Sequence, residues 1–265
     1  MTNNNDETCG WFVFNSGQLL IEKDEDGKYH IPYGENPPTD IPAGNKIHII
    51  GEINGHTAKA YAINMPVPGN EDSPRMMKDL RASYDVLPYE EYYRAGKASQ
   101  ILTWDKNSRY CPMCGVQTEQ ISPIAKKCPE CCQEFYPRIS PAVIVLIKKD
   151  DKVLLVHAKN FRGTFKGLVA GFLEAGETLE ECVYREVMEE TGLTIKNLRY
   201  FGSQPWPYPS GIMIGFIADY DGGSIKLQNE ELSTGEFYSK NNMPEIPKKL
   251  SIARRMIDAW MEGKV

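Results

Sequence analysis

The sequence predicts an α+β fold in which a β-rich N-terminal domain, a four-cysteine ribbon and a C-terminal layered domain follow one another along the chain. Three observations predict it. Alternating apolar runs broken by turn signals fill residues 10–64, two Cys-x-x-Cys pairs lie within 111–131, and β-branched runs beyond Pro141 bracket one amphipathic helix and precede another. The 265 residues, 41% apolar and 25% charged, have an ordinary globular make-up and suffice for two modest cores. The expected parts are residues 1–74, a helical connector at 75–110, the ribbon at 111–136 and the layered domain at 137–265.

Strands are expected at 11–14, 18–21, 46–50 and 58–63, with turns at Asp26-Gly27 and Asn54-Gly55. His30, His48 and His56 are too scattered to read as a ligand set. Residues 65–74 read as a Pro/Gly-rich linker, followed by helices at about 75–83 and 89–105. Past Pro141, a hairpin over 142–147 and 152–156 turns at Lys148–Asp151. Further strands are expected at 198–203, 212–219 and 235–238, and a helix at 252–261.

The net charge of −6 gives no global attraction to nucleic acid or to an anionic membrane, so an anionic substrate needs local cations. No apolar run approaches a membrane span, and the first residues lack a basic and apolar leader pattern, which points to cytoplasmic residence and no membrane partner. Seven cysteines there are expected as thiols or metal ligands. Cys111, Cys114, Cys128 and Cys131 have the spacing of a structural, four-thiolate zinc ribbon. A redox pair and unliganded thiols are the competing readings, and Cys132 competes with Cys131 as fourth ligand on sequence alone; spacing favours Cys131. Cys9 and Cys182 read as structural or incidental.

The densest chemical signal is at 171–193. Gly171 and Gly176 permit tight bends, Thr178 and Glu181 form a capping box, and Gly192 stands where a helix ends, so a helix is expected from about 179 to 191. With each residue turning the helix by about 100°, and Leu179 at zero, Val183 and Val187 fall near 40° and 80°, and Glu186, Glu189 and Glu190 near 340°, 280° and 20°. The carboxylates thus continue the apolar face, whereas a merely solvated charged surface belongs opposite it. Acids crowded at this spacing repel and call for a hard cation such as Mg²⁺ or Mn²⁺. Arg185 is placed to pair with Glu177 and hold the loop to the helix.

Gly171-x5-Glu177-x7-Arg185-Glu186-Val187-x-Glu189-Glu190-x-Gly192-Leu193 resembles a complete Nudix box, with every defining position filled. The resemblance implies an α/β/α sandwich and metal-dependent hydrolysis of a nucleoside diphosphate linked to another group. Ser203-Gln204-Pro205-Trp206-Pro207-Tyr208-Pro209, some ten residues past the box, is by itself either a rigid core-filling loop or a preset aromatic surface. With the box and the ribbon it resembles the motif of the NADH pyrophosphatase subfamily, over about residue 80 to the C-terminus. Tyr208 stands in place of the family's Phe and Gly211 in place of its final Ser.

Carried over residue by residue, the resemblance implies that Glu186, Glu190, Glu231 and the Ala170 carbonyl bind Mg²⁺ or Mn²⁺. Glu190, Glu189 and Glu186 are the implied catalytic residues, with Glu189 assisting or competing for the base role. Implied substrate contacts are Arg81, Tyr136, Phe172, Gln204, Pro205, Trp206, Pro207, Tyr208, Pro209, Ser210, Gly211 and Ala253; a surface role for Arg81 is an equal alternative. The implied reaction splits NADH, or less selectively NAD⁺, into the nicotinamide mononucleotide and AMP, with NAD-capped RNA as a related substrate and a homodimer as the working form. The rivals are a broader nucleoside-diphosphate hydrolase acting on ADP-ribose or similar, and a non-catalytic nucleotide-sensing regulator.

Overall fold

The computed structural model describes residues 8–69, 73–159, 163–227 and 231–265, and every count given is of those residues. Residues 70–72 of the expected linker and Glu230 lie outside them. Backbone contacts divide the protein into one unit made of residues up to Arg138 with Pro207–Ser210, and a second made of Ile139–Trp206 with Gly211–Val265. No helix among the described residues is long and apolar enough to cross a membrane.

In the first unit β1 (Cys9–Asn15) turns into β2 (Gln18–Lys23), followed by the short β3 (Tyr29–His30) and β4 (Tyr33–Gly34), then β5 (His48–Ile53) and β6 (His56–Ala62). Asn54 and Gly55 take φ of 51° and 80° in the β5–β6 turn, the left-handed pair that a tight hairpin requires. β7 (Arg75–Asp79) adds to the edge of β2, pairing Met76 with Ile21 and Met77 with Leu20. The helix expected over 75–83 is therefore a strand followed by a single helical turn, α1 (Leu80–Ser83), capped by Asp79. A free strand edge offers backbone partners that outweigh weak local helix propensity.

α2 (Tyr89–Asn107) follows, then the ribbon strands β8 (Glu119–Ser122), β9 (Ala125–Lys127) and β10 (Glu134–Phe135). Trp11, Phe12, Leu19, Leu20, Ile21 and Tyr61 are fully buried and form much of this unit's core. His48, buried, faces Asp105 at 3.6 Å, and Lys126 on β9 meets the same carboxylate at 2.7 Å. These pairings hold the Asp105 carboxyl well below the usual carboxylate range against the opposing effect of burial.

The second unit consists of β11 (Ser140–Lys149), β12 (Lys152–Ala158), β13 (Val169–Phe172), α3 (Leu179–Thr191), β14 (Leu193–Trp206), β15 (Gly211–Gly223), β16 (Leu232–Ser239) and α4 (Ile252–Met261). The sheet order is β14-β15-β11-β12-β16, with β13 also on β11 and β11 parallel to β15. Successive β11 residues face opposite ways: Val143, Val145 and Ile147 pack with Cys182, Val183 and Val187 of α3, while Ile144 and Leu146 pack with Ile252, Met256, Ile257 and Trp260 of α4. The result is an α/β/α sandwich. Each fully buried Val or Ile in these two cores contributes about 1.5–3 kcal/mol.

The two sheets are wired alike. β1 pairs antiparallel with β2 and β4 and parallel with β6, as β11 pairs with β12, β13 and β15; β7 adds to β2 as β16 adds to β12, and β5 to β6 as β14 to β15. Two elements break the correspondence. β3 pairs with β2, where β12 has, among the described residues, only the single bridge between Val156 and Gly167. α3 lies between β13 and β14, whereas residues 35–47, between β4 and β5, contain no helix. The carboxylate-bearing helix is therefore present in the second unit without a counterpart in the first.

Candidate active site

α3 begins and ends where its cap residues dictate. Thr178 Oγ1 accepts from Glu181 N at 3.2 Å, Glu181 Oε2 accepts from Thr178 N at 2.8 Å, and Gly192 closes the helix at φ 68°. Two of the three expected carboxylates lie on its buried side: Glu186 is 8% exposed and Glu190 4%. Glu189 departs from the expectation. Its side chain is 52% exposed and bonds to Arg185 Nη1 at 3.1 Å, because its position on the flank of the apolar stripe leaves it free to swing to the guanidinium.

Burial pushes the Glu190 carboxyl up to about 8, aided by the negative charges of Glu186, Glu231 and Glu189. Glu186 is raised by burial and partly held down by Arg185. Among the described residues no hydrogen-bond donor meets Glu190, so two buried acids share a region that lacks the positive charge needed to ionise both. That imbalance, together with an all-oxygen donor set, fits a hard divalent cation. Such an ion, when bound, neutralises phosphate oxygens and acidifies water at the site.

Arg185 ties the loop to the helix. It grips both oxygens of Glu177, through Nε and, at 2.9 Å, through Nη2, and the ion pair lowers the Glu177 carboxyl to about 2. The same guanidinium donates to Glu186 Oε1 at 2.9 Å and to the Phe172 carbonyl at 3.0 Å. Beneath it, β13 brings the backbone against the acids: a Cβ on Gly171 would overlap the Glu186 carboxylate. Ala170, next to it, pairs with Ile144 in the sheet. The sequence reading included the Arg185–Glu177 pair; it missed the contacts to Glu186 and Phe172 and the steric role of Gly171, for which the glycine opening the box was the available signal.

The four ribbon thiols form a second candidate centre. Their sulfurs lie within 4.8 Å of one another, with Cys114–Cys128 at 3.4 Å, Cys111–Cys131 at 3.5 Å and Cys114–Cys131 at 3.9 Å. Tetrahedral zinc with bonds of about 2.3 Å separates its ligands by about 3.8 Å, so the cluster fits that ion. Cys132, at φ 61°, is outside it, which leaves Cys131 as the fourth ligand. Protein purified without added metal is expected to carry about one zinc per chain, and Cys111→Ser to lose most of it together with thermal stability. Unchanged zinc in the variant, measured by elemental analysis, would refute the assignment.

The residues expected to contact substrate divide between the units. In the second, Phe172 is 66% exposed beside the carboxylate helix, Pro205 is exposed and Trp206 and Gly211 are partly covered. Gln204 is occupied: its amide donates to the Leu250 carbonyl at 2.8 Å and accepts from Ile252 N at 2.6 Å, fastening the start of α4. The side chain of Ala253 is buried in the core under α4. In the first unit Pro207 packs on Gly96, Tyr208 hydrogen-bonds Tyr92, and Arg81 lies 6.0 Å from the centre of the Tyr208 ring. Pro209 is exposed and Ser210 partly covered there. Tyr136 is 53% exposed and donates to Glu134 at 2.7 Å.

Comparison with known proteins matches residues 137–260 to the NUDIX domain and residues 9–104 to an NADH pyrophosphatase-like rudimentary NUDIX domain. The chain is 36% identical over 251 residues to a Shigella dysenteriae protein named NAD-capped RNA hydrolase NudC, covering 94% of this chain and 92% of that one. The chain belongs to the Nudix hydrolase family. A NudC of Photorhabdus laumondii is 36% identical over 94% of this chain and 91% of its own, and one of Pseudomonas aeruginosa 36% over 81% and 76%. A Nudix hydrolase crystal structure from Nitrosomonas europaea shares the fold, at a TM-score of 0.51 and 22% identity over 59% of this chain and 92% of that one. The Nudix box accordingly lies in the second unit, and the rudimentary Nudix match covers the region wired like it but without a counterpart of α3.

Proposed function

We propose that this Nudix hydrolase splits the pyrophosphate of NADH, and less selectively NAD⁺, into the nicotinamide mononucleotide and AMP, and removes the same dinucleotide cap from RNA. The observation that carries the reading is the buried Glu186–Glu190 pair on a complete Nudix helix, in a chain similar over most of its length to proteins named NAD-capped RNA hydrolases. Glu186, Glu190, Glu231 and the Ala170 carbonyl are the proposed Mg²⁺ or Mn²⁺ ligands. Glu190, with Glu189 as the alternative, takes the proton from the attacking water, which displaces one phosphate in line.

Phe172, Trp206 and Tyr136 supply aromatic faces for the nicotinamide or adenine ring. Gln204, bonded to the start of α4, and Ala253 within it join residues 205–211 and Arg81 as the remaining proposed substrate contacts. Residues 137–265 carry the chemistry and 111–136 the structural zinc. The working form is a cytoplasmic homodimer.

Trp206→Ala is expected to raise KM for NADH more than it lowers kcat, since stacking holds ground and transition states about equally. Unchanged kinetics in a folded variant would remove Trp206 from the site. The proposed function is tested by comparing RNA carrying a 5′ NAD cap with triphosphate RNA, each with Mg²⁺ and with Mn²⁺. Release of nicotinamide mononucleotide from the capped RNA is expected; equal attack on both RNAs would defeat the proposed selectivity.

A further inference from the structure

The first unit contains a cavity of about 650 Å³, in the size range of small-molecule sites. Its wall is built from the ends of β1 and β6, the entry to β5, one face of α2 and Pro207–Pro209. Three features of the lining point to one ligand chemistry.

The first is charge. Lys46, Lys106 and Arg109 line the cavity, and none has a carboxylate partner among the described residues. Two acids also line it: Asp105 is neutralised by Lys126 at 2.7 Å, while Asp79, which caps α1 by accepting from Ala82 N at 3.0 Å, keeps its charge and offsets one of the three cations. A cleft with a surplus of cations in a chain of net charge −6 is a local attractor for an anion.

The second is a set of fixed neutral groups. Asn45 Nδ2 donates to the Ala62 carbonyl at 2.8 Å, Asn15 Nδ2 donates to the Ile63 carbonyl at 3.0 Å, and Arg109 Nη2 donates to Asn45 Oδ1 at 2.8 Å, so the polar wall is set in advance. Ser99 and Thr103, four residues apart on α2, line the same cavity, and their hydroxyls have no partner among the described residues. The third is apolar surface: Phe14, Leu80, Leu102 and Tyr208 offer flat and aliphatic contact. A planar ring on the apolar surface, a sugar against the amides and hydroxyls, and a phosphate on the cations would use all three.

We infer that this cavity is a second nucleotide site, which takes a nucleoside 5′-phosphate, either free or as part of an RNA chain. The inference rests on this lining and not on the hydrolase reading, although Pro207–Pro209, which that reading gives to the hydrolase substrate, form one wall of the cavity. No box carboxylate lines the cavity, so it binds and does not hydrolyse.

Photolabelling of the full chain with 8-azido-AMP, mapped by peptide mass spectrometry, tests it. Label is expected on residues 45–46 or 99–109, competed by AMP and much less by adenosine, because the cations require the phosphate. Competition by AMP and by a 5′-phosphorylated oligoribonucleotide separates the free from the RNA-borne source. Lys46→Glu with Lys106→Glu is expected to lower labelling of these residues about tenfold or more. NADH turnover by the same variant should stay at the wild-type rate, reporting that the chain is folded whatever the label does. Absence of label from these segments, equal competition by adenosine, or undiminished label in the charge-reversed variant would overturn the inference.

Discussion

Glu190→Gln is expected to lower kcat for NADH by about 10²-fold or more with folding intact, since general-base or metal-ligand carboxylates commonly contribute that much. The substitution keeps size and removes the ionisable group from a residue that is 4% exposed and has no donor among the described residues. Stability should move the other way. In metal-free wild type the Glu190 carboxyl is raised on folding to about 8, so it retains a proton that the unfolded chain releases near the ordinary carboxylate range. Wild type therefore loses stability through this group as pH rises across that window, and the glutamine variant lacks that contribution. Its melting temperature should equal or exceed that of wild type, by a margin that widens up to about pH 8. Glu180→Gln, exposed on the same helix, is the control expected to be nearly silent. Equal small losses in both variants would mean that the chemistry uses other residues.

Arg185→Lys is expected to lower kcat by about 10- to 100-fold despite keeping the charge. The guanidinium makes a two-point grip on Glu177 while also reaching Glu186, Glu189 and the Phe172 carbonyl. An ammonium cannot reproduce that planar fork. Loosening it lets the loop drift from the helix, and displacement of reacting groups by about 1 Å can cost 10²-fold. A raised Mg²⁺ requirement should accompany the loss, because Glu186 loses its neighbour's alignment. Wild-type kinetics and Mg²⁺ dependence in the lysine variant would show that the clamp is dispensable.

The helices that position the site were legible because their signals are local. Thr178, Glu181 and Gly192 bound α3, and the pattern over 252–261 bounds α4, where Ser251 accepts from Arg254 N. β7 was illegible for the opposite reason: Met76 and Met77 are held by Ile21 and Leu20, more than fifty residues away. Strands of two to four residues, such as β3, β4 and β10, are too short for alternation to register. β13 went unread in the same way, hiding how closely Gly171 approaches Glu186. Helical angles placed Glu186 and Glu190 correctly and misplaced Glu189, whose long side chain answers to Arg185 and not to its Cα direction. The wiring shared by the two sheets was likewise beyond reach, since it exists only in the pairings.

The central claim is that the carboxylates of α3 direct cleavage to the pyrophosphate of a nicotinamide dinucleotide. Its most direct test is chromatographic identification of the products formed from NADH by zinc-containing protein with saturating Mg²⁺, alongside Glu190→Gln. The account predicts reduced nicotinamide mononucleotide and AMP in equal amounts, with almost none from the variant. Release of nicotinamide with ADP-ribose, or turnover of ADP-ribose with NADH left intact, would contradict it.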